Sequence, residues 1–173
     1  TTGSTQYSGT FSYGNSQVIR VLAVKSGYTN SAIATSAAFT FTVATPTVSA
    51  DGGSFSNDTT VTLASNTTGA TFYYTTNGDT PTTGSTLYTV PFSHGTSGTI
   101  KVLGVKTGYT NSSVKTSGAF TFTVATPTLG TDGGSFSNST TTTILSSTTG
   151  CSIYYTLDGT TPDNTKTLYP GSA

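Results

Sequence analysis

The sequence is poor in the residues with which enzymes and nucleic-acid-binding proteins usually work. It contains no tryptophan, methionine or glutamate, one cysteine, one histidine, and only 7% charged residues with no net charge. Nucleic-acid binding needs a basic surface that displaces counterions, so this composition argues against a nucleic-acid partner. Glycoside hydrolysis needs two facing carboxylates, whereas almost all the aspartates here lie in turn sequences, which use aspartate for its backbone geometry. These turns also lack the alternating acidic spacing of a calcium-binding loop. We therefore predict a protein that is not an enzyme and holds no cofactor or metal ion.

Two further absences concern disulfides and membranes. The single thiol, Cys151, cannot build a disulfide framework, and it stands 81 residues after Ala70 in an equivalent position. We interpret Cys151 as a small buried residue, with a cross-link between chains as the alternative. The sequence has no apolar run of bilayer-spanning length and no signal peptide, so we predict no membrane insertion. It is typical of a mature product or of a window cut from a longer chain.

Hydroxyl groups and an internal repeat are what the sequence has in abundance. About a quarter of the residues are threonine and about two fifths are threonine or serine, a surface typical of β proteins that use hydroxyls in place of charge. Phe39 to Thr47 returns letter for letter as Phe120 to Thr128, an offset of 81 residues. Asp51 to Asn57 is equivalent, at the same offset, to Asp132 to Asn138. The chain therefore consists of about two copies of one repeat unit.

The repeat divides the chain into three parts. Residues 1–44 contain the second half of a unit, residues 45–126 a complete unit, and residues 127–173 the first half of another. Short strands about every ten residues, with turn signals between them and no helical period, predict an all-β fold. We expect tandem antiparallel β-sandwiches with a repeat of about 81 residues. Residues 17–25 are predicted to be a buried strand, and residues 36–44 the last strand of their unit.

Two local features of the complete unit are predicted in more detail. Residues 70–76 form a strand, and Asn77-Gly78 follows them. This dipeptide is typical of a type I′ hairpin turn, in which both central residues take positive φ. His94 stands beside Gly95 and is expected in an exposed loop, without partners for a metal site or a catalytic triad.

Two sequence signatures resemble a known family. Gly69 to Pro81, GATFYYTTNGDTP, resembles the tyrosine-pair and turn signature of the chitobiase/β-hexosaminidase C-terminal-type domain, and Gly150 to Pro162, GCSIYYTLDGTTP, is more similar still. Thr99 to Ser112 resembles the later signature of that family, with a weaker copy at Val18 to Ser31. The resemblance implies an immunoglobulin-like sandwich, often found in tandem in secreted bacterial proteins, beside enzymes or in surface proteins. It implies no catalytic residues.

Candidate sugar sites are of two kinds. The acceptor pattern for N-glycosylation occurs at Asn57, Asn66, Asn111 and Asn138. Glycans there would help to keep so weakly charged a surface soluble. Tyr73 and Tyr74 are candidate sugar-stacking residues, but neighbouring residues of a strand face opposite ways, so one of the pair belongs to the core.

The two incomplete units are complementary halves of one sandwich. Each half alone would leave an apolar face and unpaired strand edges in solvent. The residues expected to join the halves are Val18, Ile19, Val21, Leu22, Val24, Phe39, Phe41, Val43, Ile153, Tyr154 and Tyr155. Either the back half of one molecule is completed by the front half of the next, which propagates into an open filament, or the sequence is a window of a longer tandem array. We favour the first, because the two halves overlap by 11 residues.

These observations lead to one predicted function and two alternatives. The prediction is a structural subunit of an extracellular or cell-surface fibre or stalk, whose partners are copies of itself, head to tail. Covalent glycans or polysaccharide are candidate additional partners. The alternatives are a carbohydrate-binding accessory module of a secreted glycan-degrading enzyme and a segment of a long surface adhesin.

Overall fold

The computed structural model describes residues 4–171, and every regular element in that range is a β-strand. The fifteen strands are β1 (Arg20–Val21), β2 (Ala34–Thr35), β3 (Thr47–Ser49), β4 (Gly53–Phe55), β5 (Thr59–Ala64), β6 (Thr71–Thr75), β7 (Thr86–Leu87), β8 (Phe92–His94), β9 (Lys101–Val105), β10 (Lys115–Thr116), β11 (Phe120–Phe122), β12 (Thr128–Leu129), β13 (Ile144–Leu145), β14 (Tyr154–Tyr155) and β15 (Thr167–Leu168). The all-β prediction is confirmed. Within the described range there is no helix that could span a membrane.

Strands β3 to β11 form an immunoglobulin-like sandwich. One sheet has four antiparallel strands in the order β10-β9-β6-β7. The opposite side consists of the antiparallel sheet β3-β5-β8 and the pair β11-β4. The most extensive pairing joins β6 to β9, with Thr71 opposite Val105 and Thr75 opposite Lys101.

The alternation of side chains along the strands builds the core. In β5, Val61 and Leu63 are buried while Thr60 and Thr62 face solvent, as expected for a strand with one wet face. Buried residues of the two sides meet in one cluster, which consists of Val48, Val61, Leu63, Ile100, Val102 and Phe120. Phe55, which ends β4, packs against this cluster.

The pair of β4 and β11 departs from the antiparallel prediction, because these two strands run parallel. Their backbones approach closely just before the pairing begins: a Cβ on Gly52 would lie 2.6 Å from the backbone of Gly118, and one on Gly118 would lie 2.7 Å from the Asp51 carbonyl oxygen. The Asp51 carboxylate fixes this approach by accepting the Gly118 N–H at 2.9 Å and pairing with Lys115 Nζ at 2.7 Å. Two glycines and one aspartate thus hold a parallel edge that strand periodicity does not reveal.

The turn after β6 also differs from the prediction. Gly78 has φ +86°, but Asn77 has no positive φ, so the turn is not type I′. Asn77 Nδ2 instead donates to the Asp79 carboxylate at 2.6 Å, and Asn77 Oδ1 accepts the Asp79 N–H at 3.1 Å. These side-chain bonds replace the backbone turn, as asparagine commonly does. Residues 76–85 then form a loop, and no two-residue hairpin is made.

The strands of residues 4–44 are shorter and more exposed than predicted. Only β1 forms within residues 17–25, and residues 36–44 contain a single bridge, from Thr42 to Thr110. Among the described strands β1 pairs with β2 alone, whereas its equivalent β9 lies between β10 and β6. Among the described strands β1 lacks the second neighbour that β9 has in β6, and β1 is correspondingly shorter than predicted.

His94 is the clearest local error of the sequence prediction. It lies in β8, opposite Thr59, and is buried rather than exposed in a loop. Its ring packs edge-on against Phe120 at 4.9 Å and Phe122 at 5.8 Å. The equivalent position holds Tyr13, whose ring also packs edge-on against two phenylalanines. Both units therefore have an aromatic ring at this position. The equivalence of His94 with Tyr13 was the signal from which its burial could have been predicted.

Candidate functional site

Exposed apolar side chains concentrate in residues 4–44 and 127–171. Of the large apolar residues exposed within residues 4–171, nine lie in the first of these segments, five in the second and four in the sandwich between them. Most buried core residues belong to that central sandwich. Exposed apolar surface on this scale is typical of an interaction site.

Comparison of equivalent positions shows that residue type does not explain the exposure of these apolar side chains. Phe120 is 1% exposed, but its equivalent Phe39 is 41% exposed. Val102 is 0% exposed, but its equivalent Val21 is 57% exposed. The residue types are the same at both positions, so what differs is the presence of facing strands.

The residues predicted to join the halves fall into three groups. Val18, Val21, Leu22, Val24 and Phe39 are exposed; Ile19, Phe41, Tyr154 and Tyr155 are half-buried; Val43 and Ile153 are buried. Val43 finds its partners within the chain, because its N–H donates to the Thr110 carbonyl at 2.9 Å and its side chain lies against Gly104. Val43 therefore belongs to the junction between units of the same chain.

The Phe55 side chain, called the plug below, links two parts of the central sandwich. These parts are its early half, β3 to β7, and its late half, β8 to β11. Phe55, from the early half, stacks against Phe120 at 6.0 Å and Phe122 at 5.5 Å, both from the late half. The equivalent of Phe55 in the following segment is Phe136, which is 53% exposed. Within residues 4–171 the Phe136 ring makes no ring contact of this kind.

The strand edges differ between these segments in the same way. In the central sandwich β6 is paired on both sides, by β9 and by β7. Its equivalent β14 is paired only by β15 among the described strands. An unpaired edge of this kind presents free N–H and C=O groups to another strand.

Consecutive units are joined by a repeated set of hydrogen bonds. At the first junction the Ala44 N–H donates to Thr67 Oγ1 at 2.8 Å. At the second junction the Ala125 N–H donates to Thr148 Oγ1, also at 2.8 Å. The two junctions therefore share one geometry, which makes the tandem arrangement regular.

The candidate sugar-stacking tyrosines lie on opposite faces of β6. Tyr74 packs on the core and stacks on Phe92 at 4.4 Å, and burial raises the pKa of its hydroxyl. Tyr73 is half-buried on the other face, opposite Leu87 and Leu103. Tyr73 alone is thus placed to meet a ligand from outside.

The four candidate glycosylation residues, Asn57, Asn66, Asn111 and Asn138, are all exposed. Asn57 differs in having its amide engaged, since Nδ2 donates to the Ser147 carbonyl at 2.9 Å. Cys151 is half-buried like Ala70 and makes no disulfide.

The acidic residues are used to fix turns. The hydroxyl and N–H of Thr160 hold the pKa of Asp158 below its ordinary value, and Thr165 does the same for Asp163. Within residues 4–171 no group of three histidine, cysteine or acidic residues could hold a metal ion.

A model of the chitobiase/β-hexosaminidase C-terminal domain family matches residues 50–116 and 131–172, more than half of the chain. The chain belongs to this family. No curated protein and no solved structure matches the chain. The second stretch of chitobiase/β-hexosaminidase C-terminal domain sequence is equivalent to residues 50–91 of the central sandwich, which are its early strands. The family resemblance expected from the paired tyrosines is confirmed.

Proposed function

We propose that the protein is a structural subunit of an extracellular fibre or stalk, in which residues 127–171 of one molecule are completed by residues 4–44 of the next. One observation carries this proposal: side chains that form the core of the central sandwich have exposed equivalents in both segments. The two segments are equivalent to the early and late parts of that sandwich, so together they supply a full set of strands. A glycan on an exposed asparagine outside the joint, such as Asn111, would add to the solubility of such a fibre.

The central sandwich supplies the register of the joint. Transferred by the repeat, the pairing of β6 with β9 puts Tyr154 opposite Leu22 of the next molecule. The pairing of β5 with β8 puts Thr142 opposite Phe11. Each contact adds a strand to an open edge, the arrangement by which β-strand addition gives both affinity and register.

The completed sandwich would differ from the central one near its parallel strand pair. The positions of Lys115 and Gly118 are taken by Ala34 and Ala37, so Asp132 would have no ion-pair partner there. A Cβ at the position of Gly118 lies 2.7 Å from the facing carbonyl oxygen, so the two strands must separate by a few tenths of an ångström. The joint therefore rests on apolar burial and strand pairing, and its strength should depend little on salt.

The proposed contact joins two different surfaces and leaves both free again at the ends. A heterologous contact of this kind generates an open filament when its rotation does not close a ring. The regular junctions between units favour an extended filament, because each unit follows the last through the same hydrogen bonds.

Purified protein tests this function directly. We expect electron microscopy to show fibres, and light scattering to show assembly that depends on protein concentration. A variant lacking residues 1–44 keeps the segment that is completed by a neighbour but lacks the segment that completes one. It should therefore not assemble alone. It should shorten fibres of the full chain when mixed with them. A monomer that stays soluble at high concentration would refute the proposal.

A second candidate function, a carbohydrate-binding accessory module, is favoured by the name of the family and by the outward position of Tyr73. Insoluble chitin is a suitable probe, because chitobiase gives the family part of its name. Retention of the wild-type chain and its loss on Tyr73→Ala would favour this module. Equal recovery of both proteins in the unbound fraction would count against it.

A further inference from the structure

An asparagine side chain bridges consecutive units of the chain. Asn57, which follows the plug strand β4, donates from Nδ2 to the Ser147 carbonyl at 2.9 Å. Its Oδ1 accepts the Thr149 N–H at 2.8 Å. Both ends of the amide are therefore used to hold the 147–149 loop of the following unit.

The same parts occur once more in the chain but are not in contact with each other. Asn138 is equivalent to Asn57, and the loop 66–68 is equivalent to the loop 147–149. Within residues 4–171 the Asn66 carbonyl and the Thr68 N–H take part in no hydrogen bond. The exposed Asn138 side chain is likewise without a hydrogen-bond partner in that range.

We call the pair of asparagine hydrogen bonds to a loop the clasp. The loop 66–68 is held in the same way as the loop 147–149 that Asn57 binds. Thr67 Oγ1 accepts the Ala44 N–H at 2.8 Å, and Ser65 Oγ donates to the Ala44 carbonyl at 2.9 Å. The loop 147–149 is fixed by the same pair of bonds to Ala125, at 2.8 and 3.1 Å. The receiving loop is therefore pre-organised at both junctions, which lowers the cost of binding a partner.

We propose that Asn138 of one molecule clasps the loop 66–68 of the next, through the Asn66 carbonyl and the Thr68 N–H. This inference rests on the proposed head-to-tail assembly and names a second contact within it. In the completed sandwich Asn138 takes the place that Asn57 has in the central one, and the central sandwich of the next molecule takes the place of residues 127–171. The partner is thus a second copy of this chain, and the recognised groups are backbone.

The clasp gives the joint a function that strand addition alone does not have. Strand addition fills the sandwich, whereas the clasp ties that sandwich to the unit beyond it. The asparagine bonds therefore fix the orientation of successive units across the joint. Because the loop contributes only backbone groups, the side chain of Asn66 should be replaceable without loss.

The test is a pair of matched asparagine substitutions. Asn138→Ala removes two hydrogen bonds between molecules, and Asn57→Ala removes the equivalent two within a molecule. Two hydrogen bonds of ordinary net strength correspond to about a 5- to 140-fold change in an equilibrium constant. We expect Asn138→Ala to raise the critical concentration for assembly by a factor in this range and Asn57→Ala to leave it unchanged. Thermal unfolding of the central sandwich should be the same in Asn138→Ala as in the wild type, which separates a lost contact from misfolding.

The outcomes distinguish the clasp from the assembly on which it rests. Wild-type fibres with an unchanged critical concentration in Asn138→Ala would overturn the clasp and leave head-to-tail assembly standing. Equal increases in Asn138→Ala and Asn57→Ala would also overturn it, because the effect would not be specific to the joint. Absence of wild-type assembly would overturn the proposed function, and the clasp with it.

Discussion

Truncation of Phe136 is the most informative single change, because this side chain is the plug of the proposed joint. In the central sandwich its equivalent, Phe55, stacks on two rings at 5.5 and 6.0 Å. On Phe136 the ring is 53% exposed, so in the isolated molecule Phe136→Ala should alter stability little. In the assembled state the substitution removes a ring that would lie between Phe39 and Phe41 of the neighbour.

The magnitude follows from the packing of Phe55. Replacing a buried phenylalanine by alanine costs about 3–5 kcal/mol, and since Phe55 is half-buried we take about 2–4 kcal/mol for the joint. Because each 1.4 kcal/mol changes the association constant tenfold, the critical concentration for assembly should rise about 30- to 700-fold. Sedimentation of fibres over a range of protein concentrations measures this quantity.

Two control variants make the Phe136 result specific. Leu157 is 92% exposed and is equivalent to the exposed Thr76, so Leu157→Ala removes apolar surface from the same segment without touching the joint. Phe55→Ala makes the same truncation inside the molecule and should lower the melting temperature of the central sandwich without changing the contact between molecules. If Phe136→Ala assembles at the wild-type concentration, the packing argument for the joint is wrong.

Three further predictions concern the central sandwich and its surface. Gly118→Ala should destabilise it by about 1–3 kcal/mol in thermal unfolding, because the new Cβ meets a carbonyl oxygen. Gly84→Ala should have little effect, because its Cβ would make only an ordinary contact with Thr82. Lys115 and the Gly118 N–H lower the pKa of Asp51, so its contribution is present above the ordinary aspartate pKa and is lost as the pH falls through the lowered one. That contribution is at most about 1 kcal/mol for an exposed pair, and Asp51→Asn should remove it, so that the stabilities of variant and wild type converge in acid. Glycopeptide mapping of native material should find Asn57 less occupied than Asn111, because only Asn57 has its amide bonded to another unit.

The fold of the central sandwich was largely predictable from the sequence. The alternation of Val61 and Leu63 with threonine assigned the inner face of β5, and the exact repeat of Phe39 to Thr47 located the equivalent strands. These signals are strong because strand period and repeat offset act on many residues at once. The paired tyrosines then pointed to the family.

Features that depend on a single contact between distant residues could not be read in the same way. The parallel pair of β4 and β11 depends on Asp51 meeting Gly118, which lie 67 residues apart. The turn at Asn77 depends on side-chain bonds that compete with the backbone geometry typical of the dipeptide. The hydrogen bonds of Asn57 depend on a loop of the neighbouring unit. The sequence marked Asn57 only as a glycosylation acceptor, which does not predict these bonds.

Disulfide trapping across the joint tests the central claim most directly. Leu22→Cys and Tyr154→Cys, in a chain that also carries Cys151→Ala, place two thiols at positions expected to be directly opposite in neighbouring molecules, as Leu103 and Tyr73 are in the central sandwich. Opposite residues of antiparallel strands have Cβ atoms about 4.5–5.5 Å apart, close enough for a disulfide after a small adjustment. The matched pair Ala23→Cys and Tyr154→Cys is out of register by one residue and directs the thiols to opposite faces.

Mild oxidation of the in-register pair should give a ladder of covalent multimers on a non-reducing gel, and reductant should collapse it to a single band. The out-of-register pair should give little of this ladder. A single monomer band from the in-register pair under oxidation, or equal ladders from both pairs, would contradict completion of one molecule's sandwich by the next.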